Sequence, residues 1–178
     1  MKYFEELKRS MEFLARDSRT IFIGQAVEVP GTAMSNTLID ISLGKRLELP
    51  VAEEMQMGMT LGLGLQGLIP VSIYPRWNFL ILAINQLVNH IDKIDIMSGG
   101  RYKPKLIIRT GIGSERPLHP QHQHIGDFTE AIQRMCTTVE VLRLEKPEDI
   151  FPSYEKALMR EDRRNTILVE YGDYYNEK

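Results

Sequence analysis

The 178-residue chain has one cysteine, one tryptophan and no run of five basic residues. A lone thiol, Cys136, cannot close an internal disulfide, which fits a reducing compartment, so a cytoplasmic location is expected. Cys136 sits in an apolar lead-in to a strand, where packing is expected of it rather than nucleophilic work. Lys and Arg total 22 against 24 Asp and Glu, a net charge of -2. That balance holds no attraction for a phosphate backbone or an anionic lipid surface, so neither nucleic acid nor membrane is expected as a partner. No apolar run is long enough to span a bilayer. The first seventeen residues carry acids throughout and read as an amphipathic helix, not a signal peptide. A G-x-x-x-x-G-K-[ST] motif is missing, which excludes a P-loop. Repeats, low-complexity tracts and Gly/Ser linkers are missing too, and with 43% hydrophobic residues a single domain is expected over 1–178.

What is present is an alternation of two periods. Tyr3, Phe4, Leu7, Met11 and Leu14 fall at helical spacing, and Thr20 to Gly24 is a β-branched, strand-like run. Strands are then predicted at Leu68–Tyr74, Lys105–Arg109, Thr138–Leu142 and Thr166–Tyr171, with a shorter strand-like piece at Leu47–Val51. Helices are predicted from the stripe Trp77 to Ile91, around Phe128–Met135 and over Pro147–Met159. Largely apolar strands alternating with helices imply an α/β fold: a doubly wound, mainly parallel sheet covered on both faces. Met55 to Leu65 places Met or Leu at every second position, a strand period. Its length and three internal glycines favour a helix, with Gly58 and Gly62 on one side where another backbone can approach. That helix is expected to lie buried in an interface.

The local motifs are weak by themselves. Gly62-Leu63-Gly64-Leu65-Gln66-Gly67 has dinucleotide-loop spacing, but a strand follows it where a helix is required. His119, His122 and His124 have chelating spacing with no cysteine nearby, and no metal site is expected of them. Glu53 and Glu54, taken alone, are carboxylates in a helix's first turn, worth a few tenths to about 1 kcal/mol against the positive helix end. The stretch Thr110–Gln123 is the least regular, with two glycines, two prolines and two of the four histidines. Loops of that kind at strand carboxyl ends carry the chemistry of such folds.

Taken in order, Leu49-Pro50-Val51-Ala52-Glu53, Gly58, Gly62, Gly67-Leu68-Ile69-Pro70-Val71, Trp77-Asn78-Phe79, Asn85-Gln86, Met97-Ser98-Gly99-Gly100, Arg109 and Gln121-His122 form an ungapped series from Pro50 to His122. This series resembles the beta subunits of pyruvate and branched-chain 2-oxoacid dehydrogenases, which carry the pyrimidine-binding domain of the transketolase-like thiamine diphosphate enzymes. The resemblance implies that Glu53 and His122 are catalytic and that Val51, Glu53, Trp77 and Phe79 bind the cofactor. It also implies thiamine diphosphate with Mg²⁺ held by a separate subunit bearing the diphosphate-binding domain, in an α2β2 assembly acting on a 2-oxo acid or ketose. The family's carboxyl-terminal and diphosphate-binding domains are expected to lie outside this chain. Gln25 stands where the family has glutamate, Met55 where it has glycine, and the loop lacks the serine of Q-H-S-Q. These departures leave open a non-catalytic binding or regulatory module that retains the fold.

Overall fold

The computed structural model describes residues 2–30, 32–116, 119–162 and 164–176. Pro117 and Leu118, within the irregular stretch, lie outside them. In chain order come α1 (Tyr3–Ala15), β1 (Thr20–Gly24), the single turn α2 (Ala33–Asn36), β2 (Arg46–Glu48), α3 (Glu53–Leu65) and β3 (Ile69–Ile73). They are followed by α4 (Trp77–Leu80), α5 (Ile94–Met97), β4 (Ile107–Ile112), α6 (Thr129–Met135), β5 (Val139–Leu144), α7 (Pro147–Met159) and β6 (Asn165–Tyr171). The expected Trp77–Ile91 helix is a right-handed run that changes winding, from α4 to a 3-10 turn at Ile81–Ala83 and a π segment at Gln86–Ile91.

All five strand pairings are parallel, in the order β2-β1-β3-β4-β6-β5. Helices cover both faces, as the apolar strands required. On one face α1 and α7 bury Tyr3, Leu7, Met11, Leu14, Ile150 and Tyr154 against Val71, Ile107 and Leu168. On the other, Met57 of α3, Trp77, Leu80, Leu87 and Ile132 pack on Ile108, Ile167 and Val169. Strand β4 runs past its predicted end, because Thr110, Gly111 and Ile112 continue the ladder against Val169, Glu170 and Tyr171. Cys136 is buried in the second core, and burial first, then the charge of Asp92, pushes its thiol up to about 12. Thiolate chemistry is thereby suppressed.

The alternating Met/Leu segment is helical. Its buried residues are Glu53, Gln56, Met57, Thr60 and Gly64, a helical stripe that is mostly polar or small. Gly64 is the close approach: a Cβ there would lie 2.4 Å from Leu106 Cδ2. At Gly58 and Gly62 a Cβ would meet nothing within 4 Å, so within this chain the face bearing Glu54, Met55, Gly58 and Gly62 is open.

Two buried carboxylates lock the sheet. Glu170 accepts from Arg109 Nε at 2.7 Å and Nη2 at 3.0 Å, and from the hydroxyls of Tyr154 and Tyr175. The third arm of Arg109, Nη1, donates to Thr37 Oγ1 at 3.1 Å. Burial, and next the Glu170 charge, drive the Tyr154 hydroxyl well above its ordinary range, so it remains a donor. Asp92 accepts the backbone N–H groups of Thr137, Thr138 and Val139 at 2.8, 2.6 and 3.2 Å, both threonine hydroxyls, and Lys93 Nζ. Burial alone would raise this carboxyl, but the hydrogen bonds from Lys93, Thr138 and Thr137 prevail and hold it at about 2.

Candidate functional site

The strand order reverses at β1 and β3. From β1 the chain moves outward to β2, and from β3 it moves the opposite way to β4, so a crevice opens above the carboxyl ends of this central pair. Segments that lead away from the carboxyl ends of β1, β2, β3 and β4 are tied together there by hydrogen bonds.

Glu53 is the first residue of α3 and 5% exposed. Among the described residues its carboxylate has one hydrogen bond, from Gln25 Nε2 to Oε1 at 3.4 Å, a long and weak contact. Its backbone carbonyl accepts from Tyr74 Oη, also at 3.4 Å. A cavity of about 360 Å³ opens beside it, lined by Ala52, Glu53, Glu54, Met55 and Leu82. A carboxyl set in this way is shielded from water and little used by the protein's own hydrogen bonds.

The scaffold around Glu53 is far better tied than Glu53 itself. Gln56, one turn on, is 1% exposed, and its Nε2 donates to Ile73 O at 2.9 Å and Ser72 Oγ at 3.0 Å. Thr60 Oγ1 joins the same serine at 2.9 Å. This clamp fastens the first turns of α3 to the end of β3. Strands β1 and β3 come so close at that point that a Cβ on Gly24 would sit 2.6 Å from Ile73 O. Beyond Gly24 the chain turns through Ala26 at φ 54, and the Glu48 carboxylate gathers the N–H groups of Ala26, Val27 and Glu28 at 2.5, 2.8 and 2.9 Å. Successive amides converging on one anion form a nest, and this one sets the loop that presents Gln25. Apolar periodicity gives no sign of Gln56 or Glu48, whose partners are remote in sequence.

The other expected residues are dispersed. Val51 is 79% exposed, one residue before the Glu53 cavity. Trp77 is 0% exposed and belongs to the second core, so within this chain neither face of its ring is left for a ligand. Phe79 is half-buried, and its ring lies 5.7 Å from that of His124. His122 is exposed, with its ring 6.2 Å from that of His119. The loop after β4 is held by Arg76, whose Nη1 donates to Gly113 O at 2.5 Å and to His124 O at 3.0 Å. Arg76 also borders a second cavity, of about 270 Å³, with Thr32, Met34, Gly111, Gly113 and Tyr175. Among the described residues no group of three or more His, Cys, Asp and Glu side chains is placed to hold a metal ion, and no helix is long and apolar enough to cross a membrane.

Known proteins resemble this chain in both sequence and fold. The family model for the transketolase pyrimidine-binding domain matches residues 7–176. The chain is 31% identical over 188 residues to a pyruvate dehydrogenase E1 component subunit beta from Chaetosphaeridium globosum, covering 97% of this chain and 53% of that protein. The same subunit from Gracilaria tenuistipitata var. liui is 34% identical over 140 residues, covering 74% of this chain and 39% of that one. Among solved structures, a split-gene transketolase described as an inactive beta4 tetramer superposes with a TM-score of 0.71 at 15% identity, over 94% of this chain and 50% of that one. The chain thus spans about half the length, or less, of these relatives. With the family model covering nearly all of it, and the parallel sheet and its switch-point crevice in place, the chain belongs to the transketolase pyrimidine-binding family.

Proposed function

We propose that this chain is the pyrimidine-binding subunit of a split thiamine-diphosphate-dependent enzyme, active with a partner subunit that carries the diphosphate-binding domain. The observation that carries this reading is Glu53: a carboxyl buried at the switch-point crevice, next to a cavity, with one long hydrogen bond among the described residues. The residues present fit the cofactor's pyrimidine ring. Glu53 would hold the proton shared with the ring nitrogen, Gln25 would orient the carboxyl from the other side, and the half-buried Phe79 would offer a ring for stacking. Val51 and the apolar rim at Met55 and Leu82 would exclude water from the shared proton. Bound thiamine diphosphate supplies a nucleophilic carbon for a 2-oxo acid or ketose carbonyl, which makes decarboxylation, dehydrogenation or two-carbon transfer the reaction class.

The diphosphate and its Mg²⁺ fall to the partner. The face of α3 that carries Met55, Gly58 and Gly62 adjoins Glu53 and is open in this chain, so it is the surface against which the partner would complete the site, in an α2β2 assembly. The location proposed for that assembly is the cytoplasm, in keeping with one buried thiol. Calorimetric titration of thiamine diphosphate with Mg²⁺ tests the reading. The pair should bind the cofactor and the chain alone should bind it far more weakly. A pair that binds none contradicts it.

A further inference from the structure

Resting on that reading, we propose that His124, not His122, is the loop histidine of the cofactor site, and that Asn78 is its positioning residue. Arg76 caps the amino end of α4 and Trp77, Asn78 and Phe79 open it. Of the four residues Arg76-Trp77-Asn78-Phe79, only Trp77 is turned into the core, and each of the other three engages His124. Arg76 Nη1 donates to the His124 carbonyl at 3.0 Å, Asn78 Nδ2 lies 2.9 Å from His124 Nδ1, and the Phe79 and His124 rings stand 5.7 Å apart, tilted by 36°. Backbone, ring nitrogen and ring face are thus fixed by three side chains from one turn, 45 to 48 residues away in sequence.

Among the described residues His122 has no comparable support. It is exposed, and its ring contact is with His119, itself exposed and paired with Glu115 at 3.5 Å. An imidazole that is to meet a ligand repeatedly in one orientation needs its rotamer held by the protein. His124 meets that condition and His122 does not.

Both ring nitrogens of His124 face side-chain amide nitrogens, Nδ1 that of the half-buried Asn78 at 2.9 Å and Nε2 that of the exposed Gln123 at 3.1 Å. The exposed Gln123 is the group a ligand would displace, which leaves Nε2 as the atom offered to the crevice. Because Phe79 is the ring proposed to stack on the pyrimidine, the tilt of His124 over it places the imidazole at the border of cofactor and substrate.

Histidine carbethoxylation by diethylpyrocarbonate, mapped by mass spectrometry on the chain paired with its partner, tests this with thiamine diphosphate and Mg²⁺ as the probe. The expected result is that His119 and His122 react quickly with or without cofactor, while His124 reacts slowly and is shielded further by it. Asn78→Ala should raise the rate at His124 to that at His122, with the circular-dichroism melt unchanged, an effect that mere packing would not give. Shielding of His122 but not His124, or of neither, in a pair that does bind cofactor overturns this inference and leaves the cofactor reading standing. A pair that binds no cofactor overturns both.

Discussion

Glu170 and Glu53 are removed from water to nearly the same degree, 0% and 5% exposed, yet among the described residues Glu170 accepts four hydrogen bonds and Glu53 one, at 3.4 Å. The first belongs to the face covered by α1 and α7, where Arg109, Tyr154 and Tyr175 all donate to it. The second belongs to the crevice above β1 and β3, where Gln56, Ser72 and Thr60 tie the scaffold behind it and the carboxyl itself is barely tied. A protein that saturates one buried acid and leaves another with a single weak contact has assigned them different work. Asp92, with six hydrogen bonds, sides with Glu170.

The largest expected effect lies at Glu170. Glu170→Gln strands the Arg109 guanidinium in the core, and urea denaturation should show a loss of about 3–5 kcal/mol. Replacing both partners, as Arg109→Met with Glu170→Leu, should recover most of it, since the buried charge then disappears. A small loss for the single change would show that Glu170 is not the structural tie its hydrogen bonds imply.

Asp92 is next. Its folded pKa of about 2 lies below the ordinary 3.8, so its stabilisation is complete above about pH 4 and is lost as pH falls toward 2. The shift corresponds to roughly 2 kcal/mol, and Asp92→Asn should lose about that much at neutral pH and flatten the acid limb of the stability curve. The smallest effect is expected at Gln25. Gln25→Ala removes only the long bond to Glu53, so the melt should move by less than about 1 kcal/mol. A loss as large as that at Asp92 would show Glu53 to be structurally tied after all.

The sheet could be read from the sequence because its strands are apolar along their length and β-branched, as Thr20–Gly24 and Thr166–Tyr171 show. The helical state of α3 was harder. Its buried stripe is Glu53, Gln56, Met57, Thr60 and Gly64, in which Met57 is the one large apolar side chain, while much of the Met/Leu alternation lies on the open face. Glu53 itself was legible only through the ordered motifs around it. The grip on His124 was not legible, because it joins residues 45 to 48 apart through a loop whose path no local pattern dictates. Trp77 shows the opposite limit: an aromatic beside the site in sequence turned into the core, since the helix that starts there needs it as the first member of its apolar stripe.

Whether Glu53 is kept for a ligand is decided by Glu53→Gln, assayed with the partner subunit for both stability and turnover. Stability should stay within about 1 kcal/mol of wild type, because one weak hydrogen bond is changed. Turnover should fall about 100-fold or more, because the proton shared with the cofactor is gone. Wild-type turnover, or a stability loss as large as that expected at Glu170, would show Glu53 to be a structural carboxylate.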